Sequence, residues 1–496
     1  MMSGNKFWTY EVIDVNSRFL VANAILTIFI IVLQILEMTE ALAGDTLFAC
    51  LHIAFGIYTA ECIYEVCHLE EMGVFSYTAI FLVAQFIGQV FIGNFSYLLF
   101  DKEHNDWLYM NKAMLLCFLS VLGLTLACHM RSFASWGQRL SKYFFPKVQV
   151  ERVYTGRCVI VFVISFSITV LMSAMGLLGY ADANALENQT AYVGFEQYIG
   201  YIVTAGSFVL YLFFYEYLYS LTGMKRNLFF VFFVILLCIA ITSGMKKDTL
   251  VIFLCLFLVY YLVKRRISGW FLLIFIGVVF GLYQFIDAYR IALRVSTFSG
   301  NRLDTFISVI SGLTAEQGLY SDRASIFEIT EKVFSRLSLV DSLSLIIEYK
   351  DTVGLVLGDP TFLQDWLLTP FTIFLPRFLF PFKAMSTYGL WVTHNVMGLP
   401  ETVISASYVT VEGFFYLAGG AFMVLVGFFI VGIVFNFCGA FCRLKERNPV
   451  FIIVFFLIIT RIVEPSTPID VITDIVRLTI IYTLLGMFLV RMRSKS

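Results

Sequence analysis

Charged residues are scarce in this chain. Asp, Glu, Lys and Arg make up 14% of its 496 residues, whereas hydrophobic residues make up 59%. Soluble globular domains carry about 25% charged residues. A soluble protein of this length could not bury so much apolar surface, so lipid must be its main solvent. The composition therefore predicts an all-α polytopic membrane protein.

Further absences exclude several classes of function. The net charge is -1 and there is no basic tail, so nucleic acid is not an expected partner. The sequence has no Walker loop, GxSxG, HExxH or dinucleotide fingerprint. No soluble segment is large enough for a sugar-nucleotide glycosyltransferase domain. Any chemistry must therefore use a substrate that the membrane delivers.

Cysteine is absent from the stretch between Arg290 and Thr410. That stretch therefore has no disulfide framework. The spacings of the ten cysteines elsewhere match no metal-binding motif. Cys438 and Cys442 lie one helical turn apart and are predicted to be packing residues.

Long apolar runs predict about twelve membrane spans. A bilayer core of about 30 Å needs about 20 apolar residues per helix. The runs lie near 19–36, 41–63, 73–100, 113–130, 158–180, 197–221, 227–243, 248–263, 268–288, 411–438, 449–463 and 471–490.

Basic loops set the predicted orientation. Lys and Arg concentrate in the 131–157 loop, at Lys225–Arg226, at Arg443–Arg447 and in the tail. Cytoplasmic loops of membrane proteins carry this excess, so both termini are predicted to be cytoplasmic. The expected organisation is an N-terminal bundle of about nine helices over 1–288, a long outer loop with short helices over 289–410, and about three helices over 411–496.

The long outer loop contains one more apolar run, Trp366 to Phe380. Pro370, Pro376 and the following Pro381 argue against a straight spanning helix. Broken backbone at membrane depth requires protein or a water-filled cavity around it. We expect a membrane-dipping segment near 366–380.

Two blocks of the outer loop contain cations and no acids. Arg290, Arg294 and Arg302 form the first block, and a continuing helix would put Arg290 and Arg294 on one face. An arginine fork binds two phosphate oxygens at once, so the block suggests an anionic ligand. Contact with lipid headgroups is the alternative.

The second block contains Arg377, Lys383 and His394, between Asp365 and Glu401. His394 is the only histidine of the loop, and imidazole exchanges protons near neutral pH. A purely structural histidine is the alternative. A third cationic site is Lys246–Lys247, in a short outer turn where lysine is normally avoided.

Ionisable residues within spans are costly and often functional. Arg461 is expected to pair with Glu464 at the outer end of a span, and the spacing of Asp474 and Arg477 predicts a second, structural pair. Asp45 and Glu61, in the second span, are carboxylates that a transporter would also use.

The architecture and two short elements resemble the Wzy-type O-antigen (oligosaccharide repeat-unit) polymerases. One element is Pro376-Arg377-Phe378-Leu379-Phe380-Pro381-Phe382-Lys383, where that family has Pro-Arg, an aromatic stretch, Pro and Lys before the late spans. The other is Ser243-Gly244-Met245-Lys246-Lys247, where family members often have Arg at the basic position.

This resemblance implies a GT-C-like glycosyltransferase of polysaccharide and lipopolysaccharide biosynthesis in the bacterial inner membrane. It implies transfer of a growing glycan from undecaprenyl pyrophosphate to a hydroxyl of the next lipid-linked repeat at the periplasmic face. Membrane lipid, a chain-length regulator and a flippase are the other implied partners. We expect catalysis by arginines with no cofactor and no metal.

Each candidate site residue has an expected role. Arg290, Arg294, Arg377 and Lys247 would stabilise the departing pyrophosphate. His394 would be the base, with Asp365 or Glu401 as alternatives. The candidate residues for binding pyrophosphate or glycan are Lys246, Lys247, Arg302, Arg323, Lys383, Tyr388, Trp391 and Arg461, and Tyr388 and Trp391 would stack on sugar rings.

Three other functions remain open. An O-antigen ligase uses the same donor but transfers the glycan to a lipid A core. A flippase or polysaccharide transporter would show internal repeats and ionisable residues along a central pathway, but no repeat is evident and the cations cluster outside. A non-catalytic assembly subunit is the third.

Overall fold

The computed structural model shows an all-α polytopic membrane protein. It describes residues 17–39, 42–70, 73–100, 105–145, 149–174, 196–219, 223–243, 246–264, 338–356, 359–373, 388–400, 407–442, 448–463 and 467–493, with isolated positions at 269–270, 273, 277 and 375.

The elements follow one another along the chain as helices, with one short β-ribbon. The first half contains α1 (Ser17–Met38), α2 (Gly44–Leu69), α3 (Tyr77–Phe81), a π-helix π1 (Leu82–Ile92), α4 (Phe95–Phe100), α5 (Trp107–Cys128), α6 (Arg131–Phe144), β1 (Gln149–Val153), α7 (Thr155–Ala174), α8 (Glu196–Tyr219), α9 (Gly223–Thr242) and α10 (Lys246–Lys264). The second half contains α11 (Leu339–Thr352), α12 (Phe362–Thr372), α13 (Tyr388–Trp391), π2 (Val392–Val396), α14 (Val411–Phe441), α15 (Pro449–Ile462), α16 (Pro468–Leu489) and β2 (Val490–Arg493).

The membrane spans agree with the apolar runs. Within the described residues, nine helices or helical stretches are long and apolar enough to cross a membrane, and the apolar helices within α10 and α15 are shorter. These eleven segments match eleven of the twelve predicted spans. The twelfth, 268–288, lies almost wholly outside the described residues.

Side-chain caps fix where several helices begin. Asp106 accepts a hydrogen bond from the Leu108 amide at the start of α5. Asn448 does the same for Val450, and Thr467 for Asp470, each directly before a proline at the first helical position. A capping side chain satisfies an otherwise orphaned amide, and proline there loses no hydrogen bond.

The described part of the long loop forms short helices that pack on one end of the bundle. In this part of the chain, α11 packs against α5 and α14, and α12 packs against α14 and α16. Asn105, directly before α5, donates to Ser344 of α11 at 2.7 Å. The end of the bundle that carries α11 is the end predicted to face outward, and that orientation stays a prediction.

The membrane-dipping segment is helical only in part. The helix α12 has 11 residues, contains Pro370 and ends at Thr372. A helix of that length spans about 16 Å, well short of the bilayer core. Helix α12 alone is therefore too short to span the membrane. Residues 374 and 376–380 lie outside the described chain, and the membrane-dipping segment stays a prediction.

Helix α14 is not the uninterrupted span that its apolar sequence predicts. Gly419 (φ -170°, ψ 24°) and Gly420 (φ 69°, ψ -162°) have non-helical backbone angles. Residues 13 positions apart in a straight helix lie about 20 Å apart, yet the rings of Phe415 and Phe428 are only 5.7 Å apart. The two halves of α14 therefore bend sharply against each other at the glycine pair.

The neighbouring span is also distorted. Its central part is the π-helix π1, followed by a turn at Gly93 and Asn94. Phe86 of π1 packs against Phe428 of α14, with ring centroids 6.1 Å apart. The two irregular spans are therefore in direct contact. Irregular helices of this kind occur often at functional sites.

Two elements cover the opposite end of the bundle. The strands β1 and β2 pair antiparallel, with Gln149 opposite Arg493 and Val153 opposite Val490. The helix α6 packs against α14. The ribbon places the chain after α6 and the end of α16 at the same end of the bundle, and the predicted cytoplasmic location of this end stays a prediction.

Candidate functional site

Most of the predicted cations lie outside the residues that the structure describes. They are Arg290, Arg294, Arg302, Arg323, Arg377 and Lys383, and the alternative base Glu401 is outside as well. For Lys246 and Lys247 the backbone is described, and it forms the first turn of α10. The amino end of a helix carries partial positive charge, so two lysines there create a cationic turn. Ser243 lies next to this turn and donates to Asp248 at 3.2 Å.

His394 is a half-buried residue of π2, and its ring is oriented by the backbone. Its Nδ1 lies 3.1 Å from the carbonyl oxygen of Leu399. A carbonyl oxygen only accepts, so Nδ1 carries the proton of this bond. In the neutral imidazole Nε2 is then the acceptor. The geometry thus suits a proton acceptor, although it serves a structural histidine equally well.

Tyr388 and Trp391 are buried, with 2% and 9% of their surfaces exposed. The Tyr388 hydroxyl donates to Asp365 at 2.5 Å, and the Trp391 indole donates to Asp359 at 3.0 Å. Phe362 lies within 5.6 Å of both rings. Sugar stacking by Tyr388 and Trp391 stays a prediction, and the contacts described give both rings a packing role.

Asp365 is tied into this aromatic cluster and is 8% exposed. The Asp365–Tyr388 hydrogen bond joins the first turn of α12 to the first residue of α13. The segment that contains Arg377 and Lys383 connects these two helices. Its flanking elements are therefore held against each other on the outer end of the bundle.

The structure tests one of the two ion pairs predicted at the late spans, and that pair was wrong. Arg461 of α15 lies 3.9 Å from Asp474 of α16, and Glu464 falls outside the described residues. Arg477 does not form the predicted pair with Asp474; its Nη1 donates to the Tyr201 hydroxyl of α8 at 3.3 Å. The described partner of each arginine lies on a neighbouring helix.

Arg477 is a buried cation within a span. It is 3% exposed, and its Nη2 has no hydrogen-bond partner among the described residues. Arginine inside a bilayer is rare and normally faces the interior of the bundle or a polar cavity. Arg477, Arg461 and Asp474 thus form a charged cluster between α8, α15 and α16.

A junction connects the outer loop with the irregular spans; we define this loop–span junction by Gln85, Tyr408, Thr410, Glu412 and Val463. Gln85 of π1 donates to the Val463 carbonyl at 3.1 Å. The Tyr408 hydroxyl donates to Gln85 at 3.4 Å. With 14 residues, α15 covers about 21 Å, so it ends short of a full bilayer core.

The junction includes a strained residue and a buried carboxyl group that the sequence argument missed. Thr410 has φ 58° and ψ 150°, which β-branched residues rarely adopt, while its hydroxyl caps the Gly413 amide at 2.8 Å. Glu412 is 1% exposed, and its Oε1 has no hydrogen-bond partner among the described residues. The only sequence signal for Glu412 is an acid at the start of an apolar run.

The junction is linked to π2 through Ser407. Its amide donates to the Thr393 hydroxyl at 2.9 Å and to the Gly389 carbonyl at 3.1 Å. His394 follows Thr393 directly. The turn that carries the predicted base is therefore hydrogen-bonded to the segment that leads into Glu412.

A latch of four residues holds α11 on the outer end of the bundle. Asp351 accepts from Lys112 of α5 at 2.9 Å and from the Tyr416 hydroxyl of α14 at 2.8 Å. Lys350 donates to the Tyr416 carbonyl and lies 4.5 Å from the Tyr416 ring centroid. Partial burial acts to raise the pKa of Asp351, but these hydrogen bonds and the two lysine charges outweigh it and lower the pKa. Burial lowers the pKa of Lys350.

The carboxylates of the second span have local partners. Glu61 lies 2.8 Å from Arg18 of α1, and Asp45 accepts from the Thr46 amide at 2.6 Å. An apolar groove of about 680 Å³ runs between α1 and α2 beside the Arg18–Glu61 pair. The described contacts of the two carboxylates therefore do not trace a polar pathway through the bundle.

No protein-family model matches the chain, and neither a curated protein nor a solved structure matches it.

Proposed function

We propose that the chain polymerises lipid-linked oligosaccharide repeat units at the outer face of the bacterial inner membrane. In this GT-C-like reaction the bond between the anomeric carbon and the pyrophosphate oxygen breaks. The acceptor hydroxyl oxygen of the next repeat bonds to the anomeric carbon, and the undecaprenyl pyrophosphate leaves with the electron pair. The acceptor proton passes to a base.

The observation that carries the proposal is the arrangement around π2. The Nδ1 proton of His394 is held by the Leu399 carbonyl, which leaves Nε2 as the basic nitrogen. This helix turn is hydrogen-bonded to the segment that leads into Glu412. In the sequence, α12 and α13 flank the Pro376–Lys383 element. The two helices that flank the cationic element of the resemblance thus lie beside the turn that carries the predicted base.

The cations have a defined task in this proposal. A departing pyrophosphate gains negative charge in the transition state, and fixed cations stabilise it. Arg290, Arg294, Arg377 and Lys247 take this role. His394 takes the proton, and we rank it above Asp365 because the Asp365 carboxylate already accepts the Tyr388 hydroxyl.

Arg377→Ala and His394→Ala test the proposal. We expect Arg377→Ala to slow polymerisation about 100-fold or more, as the loss of one transition-state donor does. Arg377→Lys should restore only part of the rate because lysine lacks the planar fork. Loss of the base in His394→Ala should slow the rate about 100-fold or more. The measurement is glycan length against time, in vesicles that contain purified protein and purified lipid-linked repeat.

The matched control is Arg226→Ala, an exposed arginine at the start of α9, which should polymerise normally. Normal rates for both Arg377→Ala and His394→Ala at normal protein levels would show that the proposed site is wrong. Activity should persist when a chelator is added, since the proposed stabilisation uses arginines and lysines.

The ligase alternative uses the same donor and is separated by the acceptor. Supplying a lipid A core in place of the second lipid-linked repeat should give no transfer if the chain is a polymerase. Efficient transfer to that core, with no lengthening of lipid-linked glycan, would identify a ligase.

A further inference from the structure

The helix α6 differs from the spans because its polar and apolar residues are segregated around its axis. Its sequence RSFASWGQRLSKYF contains three basic residues and no acid. With about 100° between successive residues, the helix divides into three stripes. Each stripe has a different environment.

The first stripe consists of small residues and faces α14. Gly137 and Ser141 are its buried residues. A Cβ atom at Gly137 would lie 2.4 Å from the carbonyl oxygen of Phe437 in α14. A larger residue would clash there, so Gly137 allows α6 to pack closely against α14.

The second stripe is apolar and uncovered by the described chain. Trp136, Leu140, Tyr143 and Phe144 are 57%, 41%, 80% and 57% exposed. Trp and Tyr prefer the boundary between lipid headgroups and acyl chains, because their rings are amphipathic.

The third stripe is basic. Arg131, Arg139 and Lys142 are all exposed and lie beside the apolar stripe on the side away from α14. A helix with this arrangement of apolar, aromatic and basic residues binds in the plane of a membrane interface. Its positive charge complements anionic phospholipid headgroups.

Both ends of α6 are attached to the ends of spans. The helix begins at Arg131, shortly after α5 ends at Cys128. Just beyond its other end, the ring of Phe145 lies 5.7 Å from Phe441 at the end of α14 and 5.9 Å from Phe451 near the start of α15. A helix held in this way runs along the membrane face and does not project from it.

We propose that α6 is an interfacial helix that binds anionic phospholipids of the leaflet at which α5 and α14 end. Its apolar stripe inserts at the boundary between headgroups and acyl chains, and Arg131, Arg139 and Lys142 contact lipid phosphates. The site is remote from the outer-face chemistry proposed above and does not depend on it.

The first test places an environment-sensitive fluorescent amino acid at position 143 of the full-length protein. Vesicles contain either phosphatidylcholine alone or a mixture with phosphatidylglycerol. We expect brominated acyl chains to quench the probe at 143, while aqueous iodide does not. The control has the probe at position 135, on the basic side of the helix, and should be quenched by iodide instead.

Two outcomes would overturn the proposal. Equal iodide quenching at 143 and 135 would mean that the apolar stripe faces water. Protection of position 143 from both iodide and brominated lipid would mean that a protein, such as a second copy of this chain, covers the stripe.

The second test measures lipid preference in the same vesicles. Arg139→Gln together with Lys142→Gln should lower the amount of phosphatidylglycerol that stays bound to the protein, relative to phosphatidylcholine. We expect a decrease of about fivefold per residue. Ser135→Gln is the control and should retain the preference of the unaltered chain. An unchanged preference in the double variant, with normal thermal unfolding, would contradict the assignment of the basic residues.

Discussion

Thr410 and Glu412 lie two residues apart, and each has a local free-energy cost that the surrounding structure must offset. Thr410 has a positive φ without being glycine. Glu412 is a buried carboxyl group with an oxygen that lacks a described partner. Strain and unsatisfied polar groups persist most often where function requires them. This pair therefore makes the loop–span junction a stronger candidate for a functional region than its sequence alone does.

The strain at Thr410 can be measured with two substitutions. Thr410→Ala keeps a β-carbon at positive φ and loses the cap of Gly413, whereas Thr410→Gly relieves the backbone. We expect the Gly variant to be more stable than the Ala variant by about 1–3 kcal/mol, measured by thermal unfolding in detergent.

Thr473 provides the matched control because it is buried within α16. There the order should reverse, with the Gly variant about 1 kcal/mol less stable than the Ala variant. If Thr410→Gly is also the less stable of its pair, the backbone at Thr410 is not strained.

At the scale of elements, the bent helix α14 is in contact with the π-helix π1. The bend brings Phe415 beside Gly427, where a Cβ atom would lie 2.5 Å from the Phe415 ring. Two glycines therefore make the bent shape possible. Gly420 adopts the backbone angles of the bend, and Gly427 leaves room for the Phe415 ring. An apolar run that is predicted to be one straight helix thus consists of two helical segments joined at a bend.

Alanine substitutions separate the bend from ordinary helix packing. Gly420→Ala should destabilise the protein by about 1–3 kcal/mol because φ 69° with ψ -162° is accessible essentially only to glycine. Gly439→Ala is the control, since its Cβ would make an ordinary 3.5 Å contact with Tyr77. It should be neutral or stabilise the protein by up to about 1 kcal/mol. Equal stability of both variants, measured by thermal unfolding, would argue against the bend.

The sequence predicted elements better than it predicted contacts between them. Eleven predicted spans correspond to apolar helices in the described chain because length and apolarity are local properties. The predicted partner of Arg477 was wrong because its hydrogen-bond partner, Tyr201, lies on a different helix. Tyr388 and Trp391 show the same limit, since the sequence cannot distinguish a packed aromatic ring from an exposed one.

At the scale of the whole molecule, the two ends of the bundle have different coverings. The helices α11, α12 and α13 cover one end, while α6 and the β-ribbon cover the other. Loop charge predicts that the first end faces outward and that both termini are cytoplasmic.

Reporter fusions test this orientation. Green fluorescent protein joined after Arg493 should fluoresce, and so should a fusion to a chain truncated after Ser141. Alkaline phosphatase joined after Val356 should be active because it folds only outside the cytoplasm. Fluorescence of a fusion at Val356 would reverse the assigned sides.

The β-ribbon has a mechanical consequence. It joins the residues that follow α16 to the residues that precede α7, and the Tyr154 amide donates to the Leu489 carbonyl at 2.9 Å. Arg157 adds a second link, to the Phe488 carbonyl at 2.8 Å. The last span is thus fastened to a span from the middle of the chain, so a piston-like displacement of α16, with the Arg477 that it carries, would have to drag α7 along.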